Sequence, residues 1–254
     1  MSEAYLGGLA GRVALVTGGS RGIGAAIAEA LAAQGANVMV CGRDEAALAR
    51  VVARIRSSGG EARMGVADVT DEEQINTLRG TTETALGPVE LLVACAGGGG
   101  NPTPVLEENT ARWRRTLDLN LTSVFLTLKA FLPSMYERRR GAVVTMASSA
   151  GRHLSGASAG YAAAKADLLS LTRQAALESA GRGVRINAIA PSAVVTDRMA
   201  AQSVEIREKI AQGFPLQRLG TVEDVAAATL FLLSDAASWI TGVTLDVASG
   251  RVMV

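Results

Sequence analysis

The chain has 254 residues, 48% of them hydrophobic and 19% charged, with 25 basic against 24 acidic side chains, a balance that fits one globular domain and argues against nucleic acid as the main partner. A single histidine, His153, excludes zinc sites built on histidine pairs, and two cysteines, Cys41 and Cys95, are too few for a cysteine-based one and read as free buried thiols of a reducing compartment. No apolar run approaches the length of a membrane span and the start, MSEAYLGG, lacks the basic residue and apolar core of a signal peptide, so the expected location is the cytoplasm, without membrane or metal.

Val13 to Val16 is a short apolar run, followed by Thr17-Gly18-Gly19-Ser20-Arg21-Gly22-Ile23-Gly24 and by an alanine-rich stretch from Ala25 to Gln34 that Gly35 stops. That is a strand, a glycine turn and a helix. Glycines four and then two apart let backbone N–H groups and a helix start approach a pyrophosphate. Val38 to Cys41 repeats the strand signal, and Asp44 is placed to cap a helix from Glu45 to Ile55 that Ser57-Ser58-Gly59-Gly60 ends. An acid after the second strand favours a free ribose 2′-hydroxyl, whereas arginine favours a 2′-phosphate. Here the strand ends Cys41-Gly42-Arg43, and Arg43 with Arg21 could clamp that phosphate from two sides, so the expected cofactor is NADP(H) rather than NAD(H). Either arginine taken alone reads as a solvated surface residue.

The alternation continues through a short strand at Arg63 to Val66, a capping-box pair at Asp71 and Gln74 that opens a helix, and a fully apolar strand at Leu91 to Ala96 after the Gly87-Pro88 turn. Further strands are expected at Ala142 to Met146, Arg185 to Ile189 and Thr244 to Val247. Short apolar strands separated by helices predict an α/β fold, a doubly wound parallel sheet with helices on both faces, in one domain over residues 1–254. Ligands of such sheets lie beyond the carboxyl ends of the strands, so polar residues just after strands are the candidates for chemistry.

Four residues stand out, of which Ser148 directly follows a strand. Asn120 is a polar residue within an apolar helical stretch, read either as a satisfied buried amide or as functional. Ser148 ends the strand at Ala142 to Met146 and could hold a carbonyl oxygen, or simply bond its own backbone. Tyr161-Ala162-Ala163-Ala164-Lys165 sets phenol and ammonium four apart on one helical face, where the cation favours phenolate and lets the tyrosine exchange protons near neutrality. With three tyrosines and three lysines in the chain, that spacing is expected by chance only about 0.04 times.

From Val13 to Gly242 the sequence resembles the short-chain dehydrogenase/reductase family, whose glycine loop matches Thr17 to Gly24 and whose catalytic tetrad falls on Asn120, Ser148, Tyr161 and Lys165. The resemblance implies a tyrosine that donates or takes the substrate proton, a lysine that binds the nicotinamide ribose, a serine that orients the carbonyl and an asparagine that holds a relay water. It implies cofactor contacts from Gly18, Ser20, Arg21, Gly22, Ile23, Gly24 and Arg43, from Asp68 and Val69 on the adenine side, and from Ala96, Gly97, Tyr161, Lys165, Pro191, Val194 and Thr196. Phe214 to Gly220, Glu223 to Ala226 and Trp239 to Gly242 look like β-ketoacyl carrier-protein reductases, which implies a 3-oxoacyl thioester or similar ketone as substrate and an acyl carrier protein as partner, with Arg139 and Arg182 at the docking positions. A homotetramer through helices at Arg112 to Arg138 and Ala159 to Ala180 is also implied.

The chain departs from the family at Ala94-Cys95-Ala96-Gly97 with the following Gly98-Gly99-Gly100, at Pro191-Ser192, and at Ala248-Ser249-Gly250. Substrate identity is expected to depend on loops at about 97–105 and 196–213, and His153 is expected at the substrate mouth. Alternative readings are a polyol, sugar or hydroxysteroid dehydrogenase on the same scaffold, or a nucleotide-binding regulatory protein without turnover.

Overall fold

Parallel neighbours cannot be joined by a tight turn, so an apolar strand that pairs in parallel must be followed by a crossover, and the crossover helix then covers one face of the sheet. The computed structural model describes residues 7–99 and 101–253; Tyr5 and the rest of the first six residues, Gly100 of the glycine run, and Val254 lie outside the described residues. In chain order the elements are β1 (Val13–Thr17), α1 (Gly22–Ala33), β2 (Asn37–Gly42), α2 (Glu45–Ser57), β3 (Glu61–Val66), α3 (Glu72–Leu86), β4 (Val89–Ala94), α4 (Thr110–Leu117) and α5 (Ser123–Glu137). They continue with β5 (Gly141–Met146), α6 (Ala159–Ala180), β6 (Val184–Pro191), α7 (Asp197–Ala200), α8 (Val204–Gln212), α9 (Val222–Leu233) and β7 (Thr244–Val247).

The strands form one sheet in the order β3-β2-β1-β4-β5-β6-β7, every pair parallel. This is the single-domain, doubly wound Rossmann-like fold that the alternation predicted. The order reverses between β1 and β4, and that switch point opens the crevice at the carboxyl ends of the strands. All five β1 residues are buried, because alternate side chains enter opposite layers. Ala14 and Val16 pack with Ile27, Leu31 and Leu230, while Val13 and Leu15 pack with Phe131, Met135 and Leu168. The edge strand β3 buries only Ala62 and leaves Glu61, Arg63, Met64 and Val66 exposed.

Local chemistry explains the helix starts and also where the sequence reading needs correction. Asp44 caps α2 by accepting from Ala47 N–H at 3.0 Å, and α2 buries Ala47, Leu48, Val51, Val52 and Ile55 along one face. Asp71 caps α3 through the N–H groups of Glu73 and Gln74. The reciprocal half of the box is not made, because the Gln74 side-chain Oε1 takes the Asp68 N–H at 2.9 Å instead. The apolar run read as strand to Ala96 leaves the sheet after Ala94: the Thr17 hydroxyl accepts from Cys95 N–H at 3.1 Å and Ala96 N–H at 3.2 Å.

The helix expected from Arg112 to Arg138 is interrupted by a widened turn at Asp118–Thr122. Within it the Asn120 amide Nδ2 donates to the Thr116 carbonyl at 2.9 Å, the acceptor that a regular helix assigns to the backbone N–H four residues later. Among the described residues, no helix is long and apolar enough to cross a membrane.

Arg185 on β6 reaches the carboxyl end of α9, where Nη1 donates to the Leu232 carbonyl at 2.7 Å and Nη2 to the Ser234 carbonyl at 2.9 Å. Those carbonyls at the helix terminus have few other donors. Arg185→Met is expected to lower unfolding free energy by about 1–3 kcal/mol. Urea titration reads it, and a midpoint equal to that of the parent would show that the clasp does not stabilise the fold.

Candidate active site

A cavity of about 690 Å³ runs along the carboxyl ends of the strands, where the crossovers leave their loops. At one end β1 passes through the glycine loop into α1. A Cβ at Gly18 would lie 2.8 Å from the Ala96 Cα, and one at Gly24 only 2.3 Å from the Gly18 carbonyl oxygen, so the chain closes on itself here only without side chains. Helix α1 starts with neither a side-chain cap nor an acidic residue in its first turn, which leaves its backbone donors and the positive end of its dipole to an anion. Gly18, Ser20, Arg21, Gly22, Ile23 and Gly24 all line the cavity. An elongated cavity that begins on bare backbone donors fits a dinucleotide with a pyrophosphate at this point.

Arg21, Arg43, Asp68 and Val69 line the next stretch. Each arginine already has a carboxylate partner: Arg21 Nη2 lies 3.0 Å from Asp44 Oδ2 and Arg43 Nη1 3.4 Å from Asp68 Oδ2. Asp68 also accepts from the Thr70 backbone N–H and hydroxyl, and these bonds, the backbone one first, hold its carboxyl below the ordinary range. Both arginines are exposed, so water screens these pairs.

At the other end Ser148, Tyr161 and Lys165 line the same cavity, together with Ala96, Gly97, Pro191 and Thr196. Helix α6 presents Tyr161 and Lys165 one turn apart, with the Lys165 Nζ 5.6 Å from the centre of the Tyr161 ring. Lys165 is buried and donates to the Met146 carbonyl at 2.7 Å. Burial pushes its pKa down to about 8, an effect that Cys95 partly opposes. The Cys95 thiol is pushed up to about 11, first by burial and against the pull of Lys165. It therefore stays protonated and adds no charge beside the ammonium. Ser148 Oγ accepts from Ala150 N–H at 3.2 Å, capping the short turn Ser149–Gly151, which leaves its own proton to be given to a substrate oxygen.

Asn120 stands behind this end, fully buried. Its amide exchanges two 2.9 Å bonds with the Gly98 backbone while also holding Thr116, so both amide hydrogens go to protein carbonyls. A Cβ at Gly97 would lie 2.8 Å from Asn120 Oδ1 and 3.2 Å from Lys165 Nζ, which places these two groups around one backbone position. Val194 is not among the residues lining the cavity; its side chain is buried in the core and its backbone bridges to Gly220. His153 is half-buried, bonded through Nδ1 to the Leu154 carbonyl, and is absent from the cavity lining.

Other contributors were missed or read only for another role. Met146 contributes through its backbone carbonyl, which no residue type signals. Asp44, read only as a helix cap, also lines the cavity, as do Cys95, Ser192 and Asp197. Cys95 is half-buried rather than buried; Cys41 is buried, and both are free thiols. The loop after β4 is strapped to α4 by Arg112, which donates to Thr103 Oγ1 at 2.6 Å and to the Asn101 carbonyl at 2.9 Å.

A family model described as enoyl-(acyl carrier protein) reductase matches residues 18–251. The chain is 40% identical over 255 residues to the cis-4-hydroxycyclohexanecarboxylate dehydrogenase of Sinomonas cyclohexanicum, with 100% of both chains covered. It is 38% identical over 244 residues to the 3-oxoacyl-[acyl-carrier-protein] reductase FabG of Escherichia coli strain K12, covering 96% of this chain and 98% of that one. A solved structure of 7α-hydroxysteroid dehydrogenase complexed with NADH and 7-oxo glycochenodeoxycholic acid is similar at a TM-score of 0.93 and 36% identity, covering 100% of this chain and 99% of that one.

The buried lysine has a consequence for stability. The unfolded chain keeps the Lys165 proton up to an ordinary 10.5 while the folded chain releases it near 8, so the unfolded state binds more protons in between and stability rises with pH. Above pH 9 the thiols reverse the slope, because Cys95 and Cys41 hold their protons to about 11 and about 12 when folded. From pH 8 to 9 the parent should therefore gain up to about 1 kcal/mol relative to Lys165→Met. Urea titrations of both proteins across that interval check it; parallel pH curves would remove the depressed ammonium.

Proposed function

The chain belongs to the short-chain dehydrogenase/reductase family, and on that premise we propose that it moves a hydride between NADP(H) and a carbonyl or secondary alcohol, with a 3-oxoacyl thioester or similar ketone as substrate. Membership alone makes it an oxidoreductase that uses a nicotinamide cofactor. The observation that carries the finer reading is the convergence of Ser148, Tyr161 and Lys165 on one cavity that begins at the glycine loop. Arg21 and Arg43 in the same cavity support the 2′-phosphate form of the cofactor.

The bound nicotinamide would supply the hydride; the chain supplies position and a proton. Ser148 gives a hydrogen bond to the carbonyl oxygen and so supports the negative charge that develops there. Tyr161 delivers its phenolic proton to that oxygen in reduction and takes the hydroxyl proton in oxidation. Lys165, still mostly charged at neutral pH with a pKa of about 8, stabilises the phenolate left behind. Asn120 keeps Gly98 and the neighbouring Gly97 fixed against this group. The loops at about 97–105 and 196–213 would then shape the substrate space, and the reading includes a homotetramer in the cytoplasm.

The carrier-docking positions favour a second reading. Arg139 and Arg182 precede the starts of β5 and β6, whereas Ser148 follows the end of β5, so within one chain they lie at the opposite end of the strands from the cavity. Both are also engaged locally: Arg139 donates to the Gly181 carbonyl at 3.1 Å and the Arg182 guanidinium lies 5.6 Å from the Tyr136 ring centre. That arrangement supports a free polyol, sugar or hydroxysteroid as substrate rather than one delivered by an acyl carrier protein.

NADPH absorbance followed with an acetoacetyl thioester, simple ketones, diketones and oxidised sugars should show turnover that Tyr161→Phe lowers by about 10²–10⁴-fold with NADPH binding retained. Unchanged turnover in that variant would remove Tyr161 as the proton donor, and tight NADPH binding without turnover of any carbonyl would favour the regulatory reading. Arg43→Asp should swing the preference from NADPH towards NADH; an unchanged ratio of kcat/KM values would contradict the assignment of the 2′-phosphate site.

A further inference from the structure

The turn that carries Ser148 is fastened twice, by contacts outside the residues already given a role. Behind the serine, Gly151 N–H returns to the Ser148 carbonyl at 3.0 Å and Arg152 N–H to the Ser149 carbonyl at 2.9 Å. The turn then meets α6 directly: a Cβ at Gly151 would come 2.5 Å from the Lys165 carbonyl carbon and 2.6 Å from the Ala166 nitrogen. One residue later the Arg152 guanidinium forms a two-point ion pair with Asp246 of β7, Nε to Oδ1 at 3.3 Å and Nη2 to Oδ2 at 2.9 Å. The two side chains are only 20% and 16% exposed, so water competes poorly for either.

Asp246 is itself tied to the opposite wall of the cavity. It pairs with Ala190 and its neighbour Val247 with Pro191, and the Ser192 N–H donates to the Val247 carbonyl at 3.2 Å. Pro191 and Ser192 line the cavity. A planar guanidinium bound at two points resists rotation as a single hydrogen bond does not. The β5–β6 ladder ends with the Ala147 N–H on the Ile189 carbonyl at 2.8 Å; beyond it the pair ties the turn holding Ser148 to the end of β6 through β7, while Gly151 sets the distance to α6.

We propose that Arg152 and Asp246 are positioning residues for the reaction, acting through Ser148 by fixing where its hydroxyl stands relative to Tyr161 and Lys165. The inference rests on the proposed role of Ser148 as the group that holds the substrate oxygen. A hydroxyl displaced by about 1 Å from its working position can cost as much as a hundredfold in rate, which is ample reason for a half-enclosed ion pair to span 94 residues of chain.

The test is a double-mutant cycle on the full-length protein with NADPH and whichever ketone the parent reduces. Asp246→Asn and Arg152→Lys are made in the parent and in Ser148→Ala, and kcat, KM, NADPH affinity and melting temperature are measured below the lowest transition. In the parent, Asp246→Asn should lower kcat by about tenfold or more and leave NADPH affinity within about twofold, with Arg152→Lys intermediate because it keeps the charge and loses the planar fork. In Ser148→Ala the same changes should cost less than about twofold, because the group they position is gone. Equal losses in both backgrounds, or a lowered melting temperature with parental kcat, would overturn the positioning role. Parental kcat in Ser148→Ala itself would instead overturn the role of the serine, and the inference with it.

Discussion

Every strand pair in this sheet is parallel, and from that one constraint most of the molecule follows. Each strand must hand over to a crossover that returns the chain to the same starting edge, so helices cover both faces and all carboxyl-terminal loops gather on one side. Candidate site residues are thereby drawn to that side: the glycine loop after β1, Arg43 after β2, Asp68 after β3, Gly97 after β4, Ser148 after β5 and Ser192 after β6, with Tyr161 and Lys165 reaching the same cavity from α6. The residues that precede the strands, Arg138 to Arg140 among them, are left to brace the opposite rim, where Arg138 holds the Val89 carbonyl and Arg140 pairs with Glu90.

Within that layout the buried ammonium of Lys165 carries a desolvation cost. A cation in so enclosed a place needs an acceptor and neutral surroundings, and it obtains the Met146 carbonyl at 2.7 Å together with a protonated Cys95 thiol. The same enclosure that depresses its pKa strengthens its influence on the phenol one helical turn away. Asn120 completes the arrangement from behind, from within the widened turn at Asp118–Thr122, where its amide reaches both Thr116 and Gly98. Two local departures from regular structure, this turn and the early exit of β4 at Ala94, thus serve one small volume.

The features legible in the sequence are those expressed in local pattern. The four-residue spacing of Tyr161 and Lys165, the glycine spacing after β1 and the strand–helix alternation each depend on neighbours along the chain, and the fold and the gathering of candidate residues at the strand ends follow from them. Asn120 is visible as a polar residue in an apolar helix, but its partner Gly98 stands 22 residues away and leaves no local signal. The Met146 carbonyl carries no signal because every residue has one. The Arg152–Asp246 pair joins positions 94 apart, and neither charge is distinguishable in sequence from a solvated one. The burial of the Val194 side chain in the core depends likewise on neighbours distant in the chain.

The edge strand β3 bears on a different property, the solubility of the folded chain. Its outer rim exposes Met64 and Val66, apolar side chains that would favour addition of a foreign strand, yet it also carries Glu61 and Arg63, paired at 3.2 Å. A strand adding to β3 would have to dehydrate that pair, so the charges act as a gatekeeper against end-to-end polymerisation at this edge of the sheet.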